Sequence, residues 1–136
     1  MGLSISVSLV CGRSRAGKTT YAKRFGNAIH LDDYGIGDKA YPRVADKVSK
    51  TIGDVVVEGI YNTPERRKTL LDVCPNKRKI CIWLDTPLDE IERRFYKWKP
   101  RNLPHKFEPP TLDEGWDEII ILRGDDEQRI HRQTED

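Results

Sequence analysis

One eight-residue motif constrains this chain more than any other feature of the sequence. Residues 12–19 read Gly-Arg-Ser-Arg-Ala-Gly-Lys-Thr and match the pattern G-x-x-x-x-G-K-[ST] at all of its fixed positions. The motif follows an apolar run over residues 3–11 and precedes a helical pattern over residues 18–25, which predicts a loop between a strand and a helix. There, glycines let the backbone wrap a phosphate, and the start of the helix offers unpaired N–H groups. The motif therefore predicts a site for nucleotide phosphates.

The motif also assigns chemistry to its own residues. Lys18 supplies a charge for the β- and γ-phosphates of ATP, and Thr19 supplies a hydroxyl for Mg²⁺, so ATP and Mg²⁺ are the expected cofactors. The residues expected to hold them are Gly12, Arg13, Ser14, Arg15, Ala16, Gly17, Lys18, Thr19 and Thr20. A GTPase is disfavoured, because the only Asn-Lys pair, Asn76-Lys77, has Lys79 where the N-K-x-D guanine signature needs aspartate.

Strands and helices alternate along the rest of the chain. Further apolar runs predict strands at residues 28–31, 55–57, 80–84 and 119–122. Helical spacing and start signals predict helices at residues 41–52, 63–73 and 85–99. This order predicts an α/β three-layer sandwich with a five-stranded parallel sheet. Together with the phosphate motif, it resembles the P-loop NTPase fold of the kinase type. Residues 124–136 are expected to form an acidic tail that could close as a helix.

Length and composition limit the classes of function that the chain can have. With 136 residues, a single domain is expected. The net charge is only +2, so any affinity for nucleic acid must come from local patches. No apolar run is long enough for a membrane span, and three cysteines without a signal peptide favour reduced thiols in the cytoplasm. The region between Asp32 and Thr51 is short, which favours a long acceptor lying across an open face.

Carboxylates follow three of the predicted strands, where ligands bind in a doubly wound sheet. Asp32 and Asp33 follow the second strand, Glu58 the third and Asp85 the fourth. Phosphoryl transfer to a hydroxyl needs a carboxylate that orients the acceptor and takes its proton. Asp32 suits this role, and Asp33 and Glu58 are candidates for binding the substrate. Asp85 is equally well explained as the cap of the next helix.

Two basic segments are candidates for phosphate contacts. Residues 93–107 hold six cations and no acid, with aromatic residues interleaved, and an arginine here would stabilise the transferring phosphate as a lid. The alternative is an amphipathic helix with its cations outward. Arg66-Arg67-Lys68 lies at the start of its helix, the unfavourable end for cations, so Arg66 is predicted to bind a polyanion.

At this point the chain resembles the kinase domain of the phage and animal polynucleotide 5′-hydroxyl kinases, over nearly its whole length. The resemblance rests on the phosphate motif, on Leu-Asp-Asp-Tyr at residues 31–34 and on Asn-Thr-Pro-Glu-Arg-Arg at residues 62–67. It extends to Leu-Asp-Thr-Pro at residues 84–87, with Arg94 in the next helix, and to the stretch from Phe107 to Trp116. The segments 62–67 and 107–116 are the most discriminating.

The resemblance implies roles for single residues. Asp32 would be the base that activates the 5′-hydroxyl, Glu58 would lie near the acceptor nucleotide, and Arg94 would be the lid arginine. Some relatives carry arginine three residues after the base, where this chain has Gly35. No D-x-D-x-T motif is present, so 3′-phosphatase activity is not expected.

The sequence therefore predicts an ATP-dependent kinase of 5′-hydroxyl ends of DNA or RNA. One alternative is a kinase of a small metabolite, nucleoside or modified base on the same scaffold. Another is a nucleotide-binding switch module without acceptor chemistry, in which Asp32 would be replaceable.

Overall fold

A computed structural model describes residues 5–13, 16–94 and 106–131 of the chain. The strands are β1 (Ser6–Gly12), β2 (Ile29–His30), β3 (Val55–Glu58), β4 (Arg78–Leu84), β5 (Glu118–Arg123) and β6 (Asp126–His131). The helices are α1 (Lys18–Ala22), α2 (Ala40–Ser49), α3 (Pro64–Leu71) and α4 (Leu88–Arg94). Single 3₁₀ turns cover Lys23–Phe25, Leu31–Tyr34, Gly37–Lys39 and Leu112–Glu114. Within these ranges, no helix is long and apolar enough to cross a membrane.

The strands form one mixed sheet in the order β2-β3-β1-β4-β5-β6. The first five strands are parallel, as the sequence predicts, and β6 pairs antiparallel to β5. The predicted count of five strands is therefore wrong by one. Because β1 lies in the middle of the sheet, the loop that follows it emerges at the centre of the carboxyl edge.

The sixth strand replaces part of the acidic tail predicted at residues 124–136. It is almost entirely polar, so no apolar alternation marks it, and most of its residues are exposed at the sheet edge. A two-residue turn, Gly124-Asp125, joins it to β5, and Gly124 has a positive φ of 61°. Gly-Asp between two strands is typical of a tight hairpin. The backbone pairing with β5 thus decides the structure here, while side-chain hydrophobicity does not.

Helices cover both faces of the sheet and bury two apolar clusters. One face carries α2 and α3, whose residues join Leu9, Val57 and Trp116 in the larger cluster. On the opposite face, Ala16 and Tyr21 pack with Val10, Ile82 and Ile120. The three-layer arrangement agrees with the prediction. The helix predicted over residues 41–52 ends earlier, at Ser49, and Ile52 is exposed.

The connection before β5 is hydrogen-bonded to the start of α3. Arg67 is 0% exposed, and its guanidinium donates to both carboxylate oxygens of Glu114, with N–O distances of 2.7 and 2.9 Å. A third N–H of Arg67 donates to the Tyr61 carbonyl, and the Asn62 side-chain amide donates to the Lys106 carbonyl. The two segments at 62–67 and 107–116 that carry the family resemblance are therefore joined to each other in space.

Thr63 caps α3, and its removal should weaken the fold. Its hydroxyl accepts a hydrogen bond from the Arg66 backbone N–H, with Pro64 at the first helical position. Thr63→Ala leaves that N–H without its partner and should lower the free energy of unfolding by about 1 kcal/mol, measured by urea denaturation. Thr69→Ala is the control, because the Thr69 hydroxyl donates back to a carbonyl within the helix. An equal loss in both variants would contradict the capping role.

Candidate active site

The phosphate loop is shaped by contacts that its sequence motif requires. Gly12 ends β1, and a Cβ added there would lie 2.8 Å from the Leu84 carbonyl oxygen of the neighbouring strand. Gly17 has a φ of 101° directly before α1 begins at Lys18, a conformation that L side chains rarely adopt. The Ala16 N–H donates to the Arg13 carbonyl, and the Thr86 hydroxyl donates to the Ala16 carbonyl. Ser14 and Arg15 lie outside the described residues.

Lys18 lies at the floor of the site, 9% exposed, and its ammonium donates to the Arg13 carbonyl at 2.7 Å. Burial lowers the pKa of Lys18, although the negative charges of Glu58 and Asp32 act in the opposite direction. Thr19 and Thr20 are exposed at the start of α1, and Thr19 lines the adjacent cavity. Lys18 and Thr19 therefore lie together at the start of α1, directly after the loop, and both line the cavity.

A cavity of about 640 Å³ opens next to the phosphate loop. It lies between the loop, the carboxyl ends of β2 and β3, the start of α2 and the first turn of α3. Its lining includes Lys18, Thr19, Asp32, Tyr41, Glu58, Gly59, Ile60 and Arg66, with Gly35, Ile36 and Gly37 on the side of the β2–α2 connection. The structure thus brings five predicted residues together: the phosphate-loop lysine and threonine, two carboxylates and an arginine.

The two carboxylates of the cavity differ in environment. Asp32 is exposed, in the 3₁₀ turn that follows β2. Glu58 is buried at the end of β3, and its Oε2 lies 2.8 Å from Nδ1 of His30. Because a carboxylate only accepts, the ring N–H of His30 donates. Asp32 is therefore open to an incoming molecule, whereas Glu58 is held by the protein.

Other predicted residues are not brought to the cavity. Asp33 is exposed and is not among the described residues that line it, because the 3₁₀ turn points neighbouring side chains in different directions. Asp85 forms an ion pair with Arg123 of β5. Arg94 ends α4, and its side chain, like residues 95–105 of the predicted lid, lies outside the described part of the chain.

The basic block at residues 66–68 divides into three different environments. Arg66 lines the cavity, donates to Asn62 Oδ1 at 2.5 Å and to Asp38 at 3.0 Å, and lies over the Tyr41 ring. Arg67 is buried against Glu114, and Lys68 pairs with Asp72 on the surface. Only Arg66 is placed where the predicted contact with an anion could be made.

Sequence reasoning missed three groups of this site: His30, Tyr41 and Gly59. His30 meets Glu58 because β2 and β3 pair in parallel with these residues in register. Tyr41 packs edge to face on Tyr61, and burial raises the pKa of its hydroxyl. A Cβ on Gly59 would lie 2.7 Å from the Leu31 side chain. Strand register and helix packing place all three, and no local sequence signal marks them.

The donors around the cavity fit Mg²⁺. The Thr19 hydroxyl and the carboxylates of Asp32 and Glu58 are oxygen ligands, which this hard cation prefers. Among the described residues, no group of three or more His, Cys, Asp or Glu side chains is assembled to hold a metal ion. In proteins, Mg²⁺ is usually held by one or two carboxylates together with substrate phosphates and water.

Comparison with known proteins identifies the fold. No protein-family model matches the chain, and no curated protein sequence does. Among solved structures, the Mycobacterium tuberculosis APS kinase CysC in complex with AMPPNP and APS is similar at a TM-score of 0.61 and 18% identity, over 92% of this chain and 91% of that one. A sugar kinase from Janibacter sp. HTCC2649 gives 0.59 and 15%, over 88% and 85%. APE1195 gives 0.62 and 16%, over 88% and 84%. The chain therefore has the fold of the P-loop kinases.

Proposed function

We propose that this chain is an ATP-dependent kinase that transfers the γ-phosphate to the 5′-hydroxyl end of DNA or RNA. The observation that carries the kinase assignment is the cavity itself. It places an exposed carboxylate, Asp32, beside Lys18 and Thr19 of the phosphate loop. A nucleotide site and a potential general base on one cavity are the parts that phosphoryl transfer to a hydroxyl requires.

On the donor side, the phosphate loop would bind ATP. Its backbone and Lys18 would hold the β- and γ-phosphates, and the Thr19 hydroxyl would be a ligand of Mg²⁺. When bound, Mg²⁺ neutralises charge on the phosphate oxygens. Arg94 keeps its predicted role as the lid arginine within this proposal.

On the acceptor side, Asp32 would orient the hydroxyl and take its proton. The oxygen then bonds to the γ-phosphorus while the bond to the β–γ bridging oxygen breaks and ADP leaves. Glu58 lies deeper in the same cavity and is fixed by His30. Burial lowers the pKa of Lys18, and the buried negative charge of Glu58 opposes that lowering.

Two features support a polynucleotide acceptor. The cavity wall carries Arg66, whose side chain is 30% exposed and whose partner Asp38 is 86% exposed, so a phosphate on the acceptor could replace Asp38. The β2–α2 connection is short and leaves Asp32 open to solvent, with Ile36 95% exposed at the rim. The motifs at residues 62–67 and 107–116 add the resemblance to polynucleotide kinases.

A small-molecule acceptor is the second candidate. The similar structures named as an APS kinase and a sugar kinase favour it, because those names refer to small acceptors. A kinase of this second kind would transfer phosphate to a nucleoside or sugar at least as well as to an oligonucleotide.

Transfer from labelled ATP tests the proposal. The protein is incubated with Mg²⁺ and γ-labelled ATP, and 5′-hydroxyl oligonucleotides are offered beside nucleosides and common sugars. We expect label on the oligonucleotides, sensitive to removal of Mg²⁺ by chelation. Label on nucleosides or sugars alone would refute the polynucleotide assignment, and ATP binding without any transfer would favour a switch module.

A further inference from the structure

A second concave surface lies beside the acceptor cavity. It encloses about 630 Å³ and is lined by Tyr34, Pro42, Arg43, Asp46, Lys47 and Lys50. We call it the α2 groove. Three of its six residues are cations, and all but Tyr34 belong to α2 or to the residue directly after it.

The α2 groove is adjacent to the acceptor cavity. The Arg43 guanidinium donates to the Tyr34 carbonyl at 3.0 Å. It also lies 3.0 Å from where a Cβ of Gly35 would be, and Gly35 lines the cavity. Asp32 and Tyr34 belong to the same 3₁₀ turn, with Asp32 on the cavity side and Tyr34 on the groove side. The turn that carries Asp32 and Tyr34 therefore separates two neighbouring concave surfaces.

The charge of the α2 groove suits a polyanion. Arg43, Lys47 and Lys50 are spaced by four and three residues, so they share one face of the helix. Asp46 is paired with Lys50 at 3.0 Å. Within the described part of the chain, no carboxylate pairs with Arg43 or Lys47. The groove thus keeps a net positive charge, although the whole chain is close to neutral.

We propose that the α2 groove binds the nucleotides that follow the 5′ end of a single-stranded acceptor. The phosphates would contact Arg43, Lys47 and Lys50, and a base would lie against the half-buried ring of Tyr34. Arg43 and Lys50 are about 10 Å apart along the helix axis, which is about three nucleotides at the rise of a stacked strand. The inference rests on the proposed function and extends it from the reacting end to the strand behind it.

The test removes two lysines that are not part of the cavity. Lys47→Ala/Lys50→Ala is compared with Lys68→Ala, since Lys68 is an equally exposed lysine in an i,i+4 pair with Asp72 on α3. A fluorescent ten-nucleotide strand with a 5′-hydroxyl measures binding without ATP, and transfer to a dinucleotide measures the reaction itself. Thermal unfolding verifies that each variant is folded.

We expect the double variant to bind the ten-nucleotide strand about tenfold more weakly at physiological salt. The slope of log affinity against log salt should fall by about 1.4, as expected when two phosphate contacts to a single strand are lost. Transfer to the dinucleotide should stay at the level of the wild type, because the dinucleotide does not reach the lysines.

The outcomes separate the two proposals. If the dinucleotide is phosphorylated, but the double variant and Lys68→Ala bind the ten-nucleotide strand equally well, the groove proposal is overturned. The proposed kinase function is not affected by that result. If the double variant binds the ten-nucleotide strand more weakly, but the wild-type protein transfers phosphate to no acceptor, the groove proposal is supported and the kinase proposal is refuted. If poly-glutamate displaces the fluorescent strand as well as an unlabelled strand does, the assignment of the groove to nucleic acid is overturned.

Discussion

Asp32→Asn is expected to reduce phosphoryl transfer about 10²–10⁴-fold, the usual contribution of a positioned general base, while ATP binding stays close to wild type. Asparagine keeps the size and the hydrogen-bonding ability of the side chain but cannot accept the proton of the acceptor hydroxyl. The exposed position of Asp32 makes structural damage from this change small. Labelled transfer measures the rate, and titration with a fluorescent ATP analogue measures binding.

Two neighbours are the controls for Asp32. Asp33→Asn removes the adjacent carboxylate, which is exposed and does not line the cavity, and it should keep most of the transfer rate. Lys18→Ala removes the buried ammonium of the phosphate loop and should reduce ATP binding and transfer together. Retained transfer in Asp32→Asn, or an equal loss in Asp33→Asn, would refute the role of Asp32 as the base.

Arg67→Ala is expected to lower the free energy of unfolding by about 3–5 kcal/mol, the usual cost of removing one partner of a buried ion pair. The change leaves the Glu114 carboxylate without its bidentate partner and the Tyr61 carbonyl without its donor. It also removes the hydrogen bonds that Arg67 donates to the connection before β5. Urea denaturation at neutral pH measures the loss, and Arg67→Lys should recover only part of it, because lysine lacks the planar fork.

Arg66→Ala is the matched control, since it removes the adjacent arginine from a half-exposed site. Its partner Asp38 is exposed, so a loss of about 1 kcal/mol or less is expected. An equal destabilisation by both variants would show that burial of the Arg67 pair is not the cause.

Acid should reduce the difference between Arg67→Ala and the wild type. Burial alone would raise the pKa of Glu114, but the hydrogen bonds and the charge of Arg67 outweigh it and hold this pKa below its ordinary value of 4.5. A carboxyl with a lowered pKa stabilises the fold above its unfolded pKa, and this stabilisation is lost as pH falls through the folded pKa. Unfolding at a series of pH values below 4.5 should show the two proteins converging.

The phosphate loop illustrates what could be predicted from local sequence. Gly12 and Gly17 allow the backbone conformation of the loop, and Lys18 and Thr19 follow the loop directly. One short stretch of sequence therefore encodes the whole phosphate loop. The central parallel strands were predictable for a similar reason, because continuous apolar runs mark strands that are buried on both faces.

The sixth strand and the basic block at residues 66–68 are two features whose structure could not be predicted from sequence patterns. β6 is polar and gains its structure from backbone pairing with β5, which apolar patterning does not register. Arg66 and Arg67 are adjacent and chemically identical, yet one lines the cavity and the other is buried with Glu114. Their different roles depend on partners 28 and 47 residues away.

By itself, the sequence determined the strand–loop–helix of the phosphate motif, the alternating α/β order and the presence of carboxylates at strand ends. These features depend on neighbouring residues and on periodicity, which the chain carries locally. Only the tertiary structure decided that Asp32 opens into the cavity and Asp33 does not, that His30 holds Glu58, and that α2 presents its cations beside that cavity. Those results depend on strand register and helix packing, which arise when distant segments bury their apolar faces together.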